Sequence, residues 1–174
     1  LDDIKRDFSS LNIDISRYIK DKSLILVDVV SKVCTDKGDS LVCRYDELSS
    51  VTDIIKDSVK GPKGNVRCLI NIISQAFIFW KPNVIYRFVF DLTEFLKSEK
   101  ITSLHSLELG MHDTKDVSAI EQLMDSIIEL TKKQKGDKVE QYILIKKKEE
   151  VSSGKSQKYM KFNISRSKGL VLNN

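Results

Sequence analysis

Three short runs of branched and apolar residues recur along the chain: Ser23 to Val30 (SLILVDVV), Asn65 to Ile73 (NVRCLINII) and Ile101 to Leu109. Between them lie two stretches with apolar residues at helical spacing. Asp46 to Val59 places Leu48, Val51, Ile54 and Ile55 on one side, and Pro82 to Lys97 does the same with Val84, Ile85, Phe88, Val89, Leu92, Phe95 and Leu96. The runs read as strands and the stretches between them as amphipathic helices. No other feature restricts the fold as much. A strand that leaves one end of a sheet and returns through a helix must come back parallel, and the helices then cover the sheet faces.

The ends of these elements are marked as well. Gly61-Pro62 stops the first of the two helices, and Pro82 suits the first turn of the second. Ile4 to Ile19 shows helical spacing with a break near Asn12, and Val33 to Tyr45, with Asp36, Gly38 and Asp39, reads as a loop or loose hairpin. Val117 to Met124 is a short helix leading into a strand from Ser126 to Leu130. Strands follow at Val139 to Lys147, Lys158 to Arg166 and Leu170 to Leu172. The Ser/Gly/Lys-rich Glu149 to Gln157 is a hairpin loop. The expected fold is α/β: a mostly parallel sheet flanked by helices, with a C-terminal antiparallel hairpin at one edge, all in a single domain over residues 1–174.

Composition supports this. At 174 residues, 41% hydrophobic and 31% charged, the chain can bury a core, and disorder is not expected. Cys34, Cys43 and Cys68 form no CxxC pair, which argues against a disulfide framework or a structural zinc and for reduced thiols in the cytoplasm. No apolar run approaches the ~18 residues that span a bilayer, so no membrane partner is expected. The chain opens with LDDIKRDF, which does not read as a secretory leader, and it lacks an initiator Met.

Candidate chemistry is sparse. The string Gly154-Lys155-Ser156 has Glu149 where a phosphate loop needs glycine, and it sits between two strands rather than between a strand and a helix. The strand Arg67 to Ser74 has the form of one that ends in a magnesium-holding acid, but Asn71 stands at the acid's position. A neutral amide there reads as a strand-end group bonded to backbone. His105 and His112 are not placed to converge with Glu108 or Asp113, so no metal site is expected. Positive charge collects in the C-terminal third, around Lys132 to Lys138, Lys146-Lys147-Lys148 and Lys155 to Lys168. It reads either as a solvated hairpin whose lysines discourage edge pairing or as an anion-facing edge, with few aromatics (Tyr142, Tyr159, Phe162) for stacking bases.

In the order of these elements the chain resembles the C-terminal two-thirds of a KaiC/RecA-type ATPase domain. The residues that carry the likeness are Asp7-Phe8 through Ile15, the strand ending Val27-Asp28, the Walker B-like strand Arg67 to Ser74, Ile101 to Glu108, Ile120 to Leu130, Gln141 to Lys148, and the closing Phe162-Asn163-Ile164 and Gly169 to Leu172. The family's phosphate loop has no counterpart in these residues, and Asn71 makes the Walker B position degenerate. The resemblance implies a truncated KaiC/RecA-like domain, and Lys146 and Lys148 fall at two basic positions that face a neighbouring subunit's nucleotide.

Three functional expectations follow. The first is a non-catalytic interaction or regulatory module that forms a homo-oligomer, or a hetero-oligomer with an active KaiC/RecA-like paralogue, with no catalytic residue, metal or cofactor of its own. The second is an ATP-binding family member whose phosphate loop lies upstream of residue 1, with ATP and magnesium as cofactors. The third is a nucleic-acid-binding accessory protein. A parallel sheet lacking central neighbours exposes strand edges. Either a longer protein or a partner that covers the edge resolves this.

Overall fold

The computed structural model describes residues 2–29, 40–42, 48–60, 65–147, 159–165 and 168–173. Contacts gather the chain into two compact units, Leu1–Lys5 with Ile15–Leu123, and Arg6–Asp14 with Met124–Asn174.

Helix α1 (Asp2–Ser10) ends where the break is expected near Asn12. Asn12 takes the left-handed conformation (φ 59°). The N–H of Ile13 then donates to Phe8 O at 3.0 Å, and that of Asn12 to Ser9 O at 2.9 Å. This paired closure satisfies the last carbonyls of a helix and turns the chain away, and Asn tolerates the backbone it requires.

The first unit holds α2 (Ser16–Lys20), β1 (Leu26–Asp28), β2 (Ser40–Val42), α3 (Leu48–Val59), β3 (Arg67–Ile70), α4 (Ile73–Phe79), α5 (Pro82–Ser98), β4 (Thr102–His105) and α6 (Thr114–Glu121). β1 pairs in parallel with β2, and β3 in parallel with β4. The alternation of apolar runs and helices therefore has the expected consequence. One segment differs. Ser40–Val42, read as loop or hairpin, is a strand parallel to β1, which a tight hairpin cannot form.

The core of this unit is organised by α5. Ile85, Phe88, Val89, Leu92 and Leu96 lie on one stripe and are buried, and the helix packs against α3, α4, α6 and β4. Its start follows from the sequence. Lys81, before the proline, is extended (ψ 146°), and Pro82 has no N–H to lose in the first turn. Its end repeats the α1 closure with Lys100 in the left-handed position (φ 57°), Ile101 N–H donating to Leu96 O at 2.8 Å and Lys100 N–H to Lys97 O at 3.0 Å.

The second unit contains a four-stranded antiparallel sheet, β5 (Ser126–Lys135), β6 (Lys138–Lys147), β7 (Met160–Ser165) and β8 (Gly169–Asn173), in chain order. The hairpin is thus a full meander, and β5 runs five residues beyond its expected end at Leu130. Gly136 turns β5 into β6 with φ 62°, a backbone that glycine adopts without strain. Register places Ile128, Leu130, Ile143, Ile145, Phe162, Ile164, Leu170 and Leu172 on one face. The opposite face holds Glu129, Lys133, Glu140, Tyr142, Lys146 and Lys161.

Among the described residues no helix is long and apolar enough to cross a membrane. Leu92, fully buried at the centre of the α5 stripe, is the most direct test of the first unit's core. Leu92→Ala is expected to cost about 2 to 5 kcal/mol through lost transfer energy and a residual cavity, read from the urea midpoint at constant slope.

Candidate functional site

In open α/β sheets, ligands sit beyond the carboxyl ends of parallel strands. In the β3–β4 pair that end is formed by Asn71 to Ser74 on one side and His105 to Glu108 on the other. β3 stops at Ile70, and α4 begins at Ile73, a helix within what the sequence presents as one continuous apolar run. The AFIF segment inside that run has no clear helical period, which hides the helix.

Three hydrogen bonds stitch the two segments together. Ser106 N–H extends the ladder to Ile70 O at 2.9 Å. The Ser106 hydroxyl donates to Asn71 Oδ1. The Glu108 N–H donates to Ser74 Oγ at 2.8 Å, and Ser74 is buried in the first turn of α4. The Asn71 amide is therefore engaged by a hydroxyl of the neighbouring strand end, not by backbone as its sequence position suggests. β4 ends at His105, so strand alternation does not extend to Glu108, which is exposed while His105 is half-buried.

A magnesium ion prefers charged, hard oxygen ligands. This strand end offers an amide and a serine hydroxyl bonded to each other, a second hydroxyl bonded to backbone, and one exposed carboxylate, Glu108. Among the described residues no group of three or more His, Cys, Asp and Glu could hold a metal. The described residues of this strand end do not by themselves form a magnesium cage.

His105 sits one residue before this cluster. Its Nε2 lies 3.0 Å from Ser103 Oγ, and its Nδ1 is buried without a hydrogen-bond partner among the described residues. Burial holds its pKa below the ordinary value. The His112 ring stacks on Phe77 at 4.5 Å between centroids. Cys68 is half-buried, and burial pushes its thiol pKa up. Cys34, Cys43, Lys148 and the Gly154-Lys155-Ser156 string lie outside the described residues.

Lys146 belongs to the second unit, on the polar face of the antiparallel sheet. Its ammonium lies 2.7 Å from Glu129 Oε2. The Tyr159 hydroxyl donates to Glu129 Oε1 at 3.2 Å. A parallel arrangement is built on Glu140, which accepts from Lys161 Nζ and from the Tyr142 hydroxyl, each at 2.6 Å. Lys133 lies over both tyrosines, 5.4 Å from the Tyr142 ring centre and 4.5 Å from that of Tyr159. The hydrogen bond from Lys161, then that from Tyr142, lowers the Glu140 pKa to about 2. The hydrogen bond from Lys146 is the first cause lowering that of Glu129. Both phenols are pushed up by the carboxylates they bond. The sequence showed the lysines but not this face, because the pairing register decides which residues meet.

Comparison with known proteins agrees with the fold. The KaiC ATPase family profile matches residues 1–174. The crystal structure of a KaiC-like protein from the hyperthermophilic archaeon Pyrococcus horikoshii superposes with a TM-score of 0.71 at 20% identity, covering 99% of this chain and 70% of that one. No match was found among curated protein sequences. An α/β chain with two parallel strand pairs, flanking helices and an antiparallel C-terminal sheet is of the KaiC/RecA-like class. The chain belongs to the KaiC ATPase family.

Two measurements probe the strand end. Ser74→Ala leaves the Glu108 N–H without its acceptor and is expected to cost about 1 to 3 kcal/mol in urea unfolding. For His105, the unfolded imidazole takes up a proton near pH 6.5 while the folded one resists it. Stability should then fall as pH drops from 7 through about 6.5 and below. Glu129 and Glu140, whose pKa values are lowered, lose their contributions only below about pH 4.5, outside this window. His105→Gln should flatten the loss between pH 7 and 5. An undiminished slope in that variant would assign the effect elsewhere.

Proposed function

We propose that this chain is a non-catalytic KaiC/RecA-like interaction or regulatory module, one domain over residues 1–174, that assembles in the cytoplasm with itself or with an active paralogue. The observation behind this reading is the state of Asn71. An uncharged amide stands where the family resemblance has the metal-holding acid, and its oxygen is already engaged by Ser106.

Exposed apolar surface supports assembly. Parallel sheets are ordinarily covered on both faces. In the β3–β4 pair, Leu69 and Leu104 project from one face and are 69% and 57% exposed. On the apolar face of the antiparallel sheet, Ile128, Leu130, Ile164 and Leu172 are exposed as well. Exposed apolar side chains on sheet faces are of the kind that interaction sites bury.

In this reading Lys146 and Lys148 contact the nucleotide phosphates of a neighbouring subunit. Calorimetric titration of ATP and magnesium into the chain, with mass measured by light scattering, is the primary test. No heat of binding is expected. Micromolar binding would replace this reading with that of an ATP-binding family member. With an active KaiC-like paralogue, Lys146→Ala with Lys148→Ala is expected to reduce complex formation or the paralogue's ATPase. Unaltered activity at full complex formation would overturn the phosphate role of these lysines.

A further inference from the structure

The Lys146 ammonium is not an open cation waiting on the sheet surface. Glu129 lies diagonally opposite it on the adjacent strand, with Oε2 at 2.7 Å. The other oxygen of that carboxylate accepts the Tyr159 hydroxyl. Lys133, held over the Tyr159 ring, adds its positive field to the same carboxylate. Two ammonium groups and a phenol thus surround one anion whose side chain is only 16% exposed. Charged donors converging on a partly desolvated position are how proteins hold phosphates and carboxylates. Here the chain supplies the anion itself.

We propose that Glu129, anchored by the Tyr159 hydroxyl, is the resident counter-ion of an anion site formed by Lys146 and Lys133, and that a phosphate must displace the Glu129 carboxylate to engage Lys146. The proposal rests on the reading above, in which Lys146 meets the phosphates of a neighbour's nucleotide. The lysine stem is long and rotatable and Lys146 is 33% exposed, so its ammonium can swing from the carboxylate to an incoming oxygen. A polyphosphate brings more charge and more acceptor oxygens than one carboxylate, so it can compete where a monovalent anion cannot. Glu129 thereby suppresses capture of stray anions and reserves Lys146 for phosphates delivered by a docked neighbour.

The probe is inorganic tripolyphosphate, titrated calorimetrically into the full chain at low ionic strength, where surface electrostatics are least screened. Glu129→Gln keeps the shape and removes the charge. It is expected to bind tripolyphosphate about threefold to fivefold more tightly than the unaltered chain, the factor that one partly exposed ion pair provides. Adding Lys146→Ala to that variant should abolish the gain. Tyr159→Phe removes one donor to Glu129 and leaves the ring beneath Lys133. It should shift affinity in the same direction by a smaller factor, and it decides the matter if Glu129→Gln does not fold.

Weakened binding in Lys146→Ala, with Glu129→Gln and Tyr159→Phe both indistinguishable from the unaltered chain, would overturn the counter-ion role and leave the phosphate role of Lys146 intact. If Lys146→Ala changes neither tripolyphosphate binding nor the ATPase of a bound paralogue, the phosphate role falls, and the counter-ion role with it.

Discussion

Ile85, Val89, Leu92 and Leu96 leave no accessible surface, and they stand on a single helix that touches α3, α4, α6 and β4. The first unit is arranged around that stripe. Burying it removes large apolar side chains from water, each worth about 1.5 to 3 kcal/mol, and ties its sequence neighbours α4 and β4 and the more distant α3 and α6 to one axis. The helix must therefore begin and end in register with its neighbours. Pro82 sets the start, and Lys100 accepts a left-handed backbone so that Ile101 can turn back under Leu96. The β3–β4 pair inherits its position from this helix. So does the strand-end cluster of Asn71, Ser74 and Ser106.

The sequence made the α/β order legible because its strongest signals are periodic. The α5 stripe, the α3 stripe and the branched runs at Leu26 and Arg67 could each be read in place. What could not be read depended on non-local pairing or on residues without a period. α4 was hidden because Ala76-Phe77-Ile78-Phe79 is apolar on every side. Ser40–Val42 is a strand only because β1 offers it a parallel partner. The two faces of the antiparallel sheet follow from a register that no single strand contains. Asn71 was identified at its position, but its partner Ser106 lies thirty-five residues away and was invisible to local reading.

Family membership and site chemistry point to different levels of conclusion. The match over residues 1–174 establishes the KaiC family, and the superposition at 20% identity establishes the fold. At the Asn71 end, the Ser106 hydroxyl holds the Asn71 amide and the buried Ser74 hydroxyl holds the Glu108 N–H, so the two strand ends are stitched together. The charged chemistry lies instead on the antiparallel sheet, where each glutamate divides its two oxygens between a lysine and a tyrosine. Such paired cross-strand contacts stabilise a sheet individually by only about 0.2 to 1 kcal/mol, but they fix where each ammonium points.

The tyrosines in this arrangement give the sheet an optical voice. Tyr142 and Tyr159 each donate to a carboxylate and each lie beneath the Lys133 ammonium. The ultraviolet absorption and fluorescence of Tyr159 respond to the Glu129 carboxylate that Lys146 also holds, and those of Tyr142 to Glu140. Because the carboxylates push both phenols upward, they should become phenolate later in an alkaline titration than the solvent-facing tyrosines of an unfolded chain. An event that draws Glu129 or Glu140 off its tyrosine is expected to change the near-ultraviolet absorption of that phenol, without a label.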